Sequence, residues 1–127
     1  MNADVTVLDH LTSLIIGSAM TVSHGLGTRF LEKVYENALA HQLRKAGLSV
    51  LQQRGVTVTY DGVIVGDYAV DLLVDEAVIV ALKAVKAIAE IHRAQCINTL
   101  RATGLLVCLL FNFGNPRLEI RRVVLSL

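Results

Sequence analysis

Apolar side chains recur at helical spacing from Leu11 to Val22, through Leu14, Ile15 and Met20, and His24-Gly25-Leu26-Gly27 follows. The pattern predicts a first helix that begins near Asp9, after a short tail, and is stopped by glycine. Phe30, Leu31, Val34, Tyr35, Ala38, Leu39 and Leu43 repeat it, so a second helix is expected from Phe30 to Ala46 with Gly47 as its C-terminal punctuation. The period then falls to two: Val56, Val58 and Tyr60 alternate with Thr57 and Thr59, and Asp61-Gly62 is a tight-turn signal ahead of Val63-Ile64-Val65. Tyr68–Val74 and Val78–Val85 are apolar on both faces and predict central strands separated by Asp75-Glu76. A third helix from Ala87 to Ala102 stops at Gly104, a buried strand spans Leu105–Phe111, Asn112-Phe113-Gly114-Asn115-Pro116 turns, and a last strand lies near Leu118–Leu125. The order α-α-β-β-β-α-β-β without repeats or linkers predicts one α/β domain over residues 1–127.

Two ionisable side chains interrupt the apolar strands, Asp71 and Lys83, and burying either alone is costly. A two-residue loop at Asp75-Glu76 would put them on opposite faces. A three-residue loop, Asp75-Glu76-Ala77, pairs Val74 with Val78, sets Asp71 across from Ala81 and leaves Lys83 diagonal on the same face. The second register is expected because it lets the charges compensate. The pair then reads either as a structural ion pair or as part of a hydrolytic Mg²⁺ site. In such a site a strand carboxylate, a second carboxylate two residues before the lysine, and the lysine itself hold the cation and orient water at a phosphodiester. That second carboxylate position is Ala81, so one ligand is missing.

Composition narrows the classes. Among 127 residues, 54% are hydrophobic and 18% charged, which excludes disorder. The longest apolar runs, Ala77–Leu82 and Leu105–Phe111, are too short to span a bilayer, so no membrane association is expected. Twelve basic against eleven acidic side chains leave a net charge of +1, so nucleic-acid binding would rest on a local patch. Cys96 and Cys108 lack zinc or redox spacing and read as buried free thiols; with no basic-then-apolar stretch at Met1-Asn2-Ala3-Asp4, a cytoplasmic setting is expected. The apolar surplus of so small a domain leads to the expectation of a homodimer.

Several segments stand in order along the chain: Leu26-Gly27-Thr28-Arg29-Phe30-Leu31-Glu32-Lys33-Val34-Tyr35-Glu36-Asn37-Ala38-Leu39, Asp71-Leu72-Leu73-Val74, Ala81-Leu82-Lys83-Ala84-Val85, His92-Arg93-Ala94-Gln95, Arg101-Ala102-Thr103-Gly104-Leu105 and Asn112-Phe113-Gly114. Together they resemble the GxxExxY family, which is assigned to the PD-(D/E)XK nuclease superfamily near its RecB-like branch. The resemblance covers nearly the whole chain. It implies a restriction-endonuclease-like core, a mixed sheet of about five strands flanked by helices, and Mg²⁺- or Mn²⁺-dependent hydrolysis of DNA or RNA. It implies Glu32 as helix carboxylate and metal ligand, Asp71 as strand carboxylate and metal ligand, Lys83 as the motif lysine, and Gln95 and Tyr35 at the substrate.

Three departures accompany the resemblance: Arg29 stands at the signature's glycine, Thr99 where the RecB-like motif places a tyrosine, and Ala81 at the acidic position of the triplet. Mg²⁺ binding by Glu32 and Asp71 is therefore expected to be weak and activity impaired. The alternative is a catalytically inactive nuclease fold serving as a nucleic-acid-binding or protein-interaction module. Glu90 is a candidate for a displaced carboxylate. Glu32 and Glu36, four residues apart, suit a solvated helix face; the resemblance moves Glu32 to the site and leaves Glu36 on the surface. Tyr35 fits the core equally well. His92, Gln95 and Thr99 form a polar stripe facing either solvent or a groove, and Arg29, Lys33 and Arg101 are either phosphate contacts or solvated charges.

Overall fold

A computed structural model describes residues 2–125; Met1, Ser126 and Leu127, the ends of the expected domain, lie outside the described residues. The elements are α1 (Asn2–Leu26), α2 (Glu32–Lys45), β1 (Val50–Tyr60), β2 (Val63–Val74), β3 (Val78–Lys83), α3 (Glu90–Thr103), β4 (Val107–Asn112) and β5 (Glu119–Val124). The strands form one sheet in the order β1-β2-β3-β4-β5, antiparallel throughout except for the parallel pair β3–β4. This is the α/β element order that the pattern predicts and the five-stranded mixed sheet that the resemblance implies.

Helix α1 starts well before Asp9, correcting the expected tail; no glycine or proline interrupts residues 2–9. It ends as expected at Gly27, whose φ of 68° lets its N–H return to the Ser23 carbonyl at 2.9 Å. The α3 start is later than Ala87 because the bent chain before it is tied to the β4–β5 turn and β5: the Glu119 carboxylate accepts the Ile88 N–H at 3.2 Å, and the Asn115 amide donates to the Lys86 carbonyl at 2.7 Å. His92 Nδ1 then accepts the Ala89 N–H at 2.9 Å and caps the helix.

Alternation along β3 divides the core. Val78, Val80 and Leu82 face α1 and α2 with Tyr35, Leu39 and Phe111, whereas Ile79 faces α3 with Leu100, Cys108 and Leu110. Each helix layer thus covers an apolar face of the sheet, which is why strands β3 and β4 have almost no polar side chains. The β2–β3 hairpin has the three-residue loop, with Val74↔Val78, Leu73↔Ile79 and Leu72↔Val80 paired. β1 and β2 are about twice as long as β3, so their distal half leaves the sheet as an arm beyond it.

Candidate functional site

The arm and α3 stand apart as two walls of a cleft of about 880 Å³ on the α3 face of the sheet. Thr57, Thr59 and Tyr68 belong to the arm wall, Gln95, Asn98 and Arg101 to the helix wall. Ala81 and Lys83 of β3 form the floor with Asp71 at its end. The Tyr68 hydroxyl bonds Thr99 Oγ1 across the walls at 3.1 Å, so a phenol reaches position 99 from the opposite side.

Asp71 occupies a step where the β1–β2 ladder opens. Pairing runs to Gln52↔Leu72 and resumes at Arg54↔Val70 in the same register, with Gln53 and Asp71 unpaired between. β2–β3 pairing also ends one step short, at Leu72↔Val80, and the freed Asp71 Oδ2 accepts the Leu82 N–H at 2.8 Å. Asp71 Oδ1 receives the Gln53 amide at 3.4 Å. Among the described residues Lys83 makes no direct ion pair, so the simple structural pairing of Asp71 with Lys83 is not what the fold builds.

Electrostatics mark the same place. Burial raises the Asp71 carboxyl above its usual value, with Glu36 adding to the rise and the Leu82 N–H, Gln53 and Lys83 opposing it. Glu32, at the first position of α2, is also raised by desolvation, opposed by Lys83 and reinforced by Asp71 and Glu36. Glu32 and Asp71 therefore both feel Glu36 and Lys83. Glu36 is a correction: expected on the surface, it is only 4% exposed. Its Oε2 accepts from Lys33 Nζ at 2.9 Å and Gln52 Nε2 at 2.8 Å, and its Oε1 from Gln53 Nε2 at 2.7 Å. The helix turns Glu36 toward β1 and leaves Glu32 as the more exposed of the two.

The other expected residues divide. His92, Gln95, Thr99 and Arg101 line the cleft, with Gln95 and Arg101 exposed at its surface. Tyr35 does not reach it: with no exposed surface, it stacks on Phe113 at 4.7 Å, donates to the Gly27 carbonyl at 2.6 Å and accepts the Phe30 N–H at 3.3 Å. Its hydroxyl clasps the α1–α2 loop, where Arg29 is exposed at a φ of 81°. Lys33 bonds Glu36 at 2.9 Å, and of Arg29, Lys33 and Arg101 it is Arg101 that lines the cleft. Glu90 does not stand in for the carboxylate missing at 81: its side chain is 85% exposed and lies 3.8 Å from Arg93.

The sequence places Asn112 at the start of a turn and in one of the segments that carry the resemblance, without giving it a role of its own. It is wholly buried and uses its entire amide: Oδ1 accepts from the Val85 and Gly114 N–H groups at 2.9 and 3.0 Å, and Nδ2 donates to the Val85 carbonyl at 2.9 Å and Glu119 Oε1 at 2.7 Å. The Phe113 N–H adds a bond to the Lys83 carbonyl at 2.8 Å. Gly114 packs so close that a Cβ there would run into the Val85 backbone. Asn112-Phe113-Gly114 is thus a clamp on the chain leaving β3, fixing Lys83 from behind. The available signal was a lone amide ending an apolar run.

A hard divalent cation needs about six oxygen donors. Here Asp71 is already engaged, Ala81 offers a methyl group, and among the described residues no three His, Cys, Asp or Glu side chains gather closely enough to hold a metal ion. The residues present do not fit a complete cation site. Also among the described residues, no helix is long and apolar enough to cross a membrane.

No curated protein and no solved structure matches the chain. Residues 9–123, however, match the family defined as the PD-(D/E)XK nuclease superfamily, a span that includes both walls of the cleft, its floor and the clamp behind Lys83. Together with a five-stranded mixed sheet consistent with a restriction-endonuclease-like fold, that match establishes that the chain belongs to the PD-(D/E)XK nuclease superfamily.

Proposed function

We propose that this protein engages a DNA or RNA strand in the cleft between the β1–β2 arm and α3, and that its phosphodiester hydrolysis is impaired by Ala81. The carrying observation is the methyl group of Ala81 on the cleft floor beside Asp71 and Lys83, where a metal-dependent nuclease needs an oxygen donor. In this reading Asp71 and Glu32 would be the residues to hold Mg²⁺ or Mn²⁺, only weakly, Lys83 would offset negative charge at the reacting phosphate, and Gln95 and Arg101 would contact the strand. The segments around Glu32, Asp71, Lys83 and Gln95 support the finer placement in the GxxExxY family near the RecB-like branch. The free thiols Cys96 and Cys108 suit a reducing cytoplasm.

A nuclease assay with Mg²⁺ or Mn²⁺ on single- and double-stranded substrates tests this. The chain as given should cleave slowly, and Ala81→Glu should raise the rate by about 100-fold, the scale of one restored catalytic contact. Equal rates for both, abolished by Asp71→Ala, would sink the impaired-site reading. A second reading, a protein-interaction module acting as a homodimer, is favoured by the arm tip: Tyr60 is 75% exposed and Val63, Ile64 and Val65 are exposed beside it. Light scattering at micromolar concentration decides it, with a strict monomer counting against.

A further inference from the structure

Gln53 is an unexpected residue for its place. It has a φ of 53° inside a strand, in the left-handed region that side-chain-bearing residues rarely enter. The arm also exchanges its faces here. Val50, Leu72 and Val74 pack toward α1 and α2, whereas Val56 and Val70, which period-two alternation would put on the same side, pack toward α3. The unusual backbone aims the amide Nε2 between two carboxylates, 2.7 Å from Glu36 Oε1 and 3.4 Å from Asp71 Oδ1. Lys33 takes only the other oxygen of Glu36, and Lys83 forms no direct bond with Asp71, so no ammonium stands between the pair.

We propose that Gln53 is a positioning residue of this site: its side-chain NH₂ group occupies the place between Glu36 and Asp71 that a bridging cation would otherwise take, so the two carboxylates are held together without metal. A neutral donor with two hydrogens can serve two acceptors at once, which neither an aliphatic side chain nor an acid can do. The inference rests on reading the cleft as an impaired nuclease site, yet its readout is melting temperature, so it can fail while the cleavage experiment succeeds, and the reverse.

The test is thermal melting of the full chain with and without millimolar Mg²⁺ or Mn²⁺ at matched ionic strength. Wild type, in which the Gln53 amide already fills the space between Glu36 and Asp71, should gain less from the cation than the variant does. Gln53→Met, which keeps the bulk and removes the donor, should melt lower by about 5 °C and recover part of that loss when the cation is added. If Gln53 acts only by filling space, Gln53→Met loses stability but gains nothing from the cation, and the proposal is overturned. It is overturned equally if wild type gains as much as the variant. Should Gln53→Met not fold in either condition, Gln53→Glu replaces it: folding or a higher melting point only with the cation supports the proposal, and cation-independent behaviour overturns it.

Discussion

Lys83 is flanked by two polar arrangements built on opposite terms. Behind it, Asn112 uses both ends of its amide on the Val85, Gly114 and Glu119 groups, and nothing charged other than Glu119 takes part. In front, the ladder opens at Gln53 and Asp71, the backbone enters the left-handed region, and carboxyl groups sit above their usual range because burial and mutual repulsion disfavour their charge. A satisfied buried network adds rigidity, whereas crowded like charges store a cost. The clamp therefore adds rigidity and the opened ladder carries an electrostatic cost, even though both touch the same few residues of β3.

The largest test of that division is Gly114→Ala. A Cβ at this position meets the Val85 backbone, which has no freedom to retreat, so the loss should be about 3 kcal/mol or more in urea unfolding, at the upper end for overpacking. Asn112→Ala should follow, at about 2 kcal/mol, because it strands the Val85 and Gly114 N–H groups inside the protein. Both should lower stability at every pH. The smallest change in stability should come from Asp71→Asn, within about 1 kcal/mol at neutral pH, since relief of a buried charge offsets a lost hydrogen bond.

What Asp71→Asn should alter is the pH profile. A folded-state pKa raised above 3.8 means that the native protein holds this proton more tightly than the unfolded chain. Its contribution to stability then falls as pH rises from about the usual carboxylate value through the raised one, and the cost is fully present above it. Replacing Asp71 with Asn should flatten that part of the curve. A wild-type to variant difference that is constant from pH 4 to 8 would contradict the raised carboxyl.

Asp71 and Lys83 were readable because a charge inside an apolar run is conspicuous; choosing the three-residue loop so that the two charges could compensate gives the observed Val74↔Val78 register, although among the described residues Lys83 makes no direct ion pair. The start of β1 was hidden: Gln52-Gln53-Arg54 shows no apolar alternation, because at this step the strand faces Glu36 and Asn37 of α2 rather than the core. Glu36 was misplaced for a related reason. Two glutamates one turn apart resemble a solvated face unless the amides that will donate to one of them are known, and those, Gln52 and Gln53, come from another element sixteen and seventeen residues on. Tyr35 shows the limit of motif reading, since its signature position is explained by a loop clasp and a ring stack.

The mixed sheet also dictates when the site comes into existence. β1, β2 and β3 are joined by short turns at Asp61-Gly62 and Asp75-Glu76-Ala77, so their pairings close small loops. The parallel pairing of β3 with β4, which sets Lys83 beside Asn112, waits for residues 84–106 to wrap across the sheet. Longer loops cost more entropy to close, and non-local contacts slow folding. The meander can therefore form first as a three-stranded platform carrying Asp71 and Gln53, with the lysine side completed only as the crossover docks. On that order Asp71 would be in place before the clamp that backs Lys83, and the cleft would close only when α3 docks across the arm.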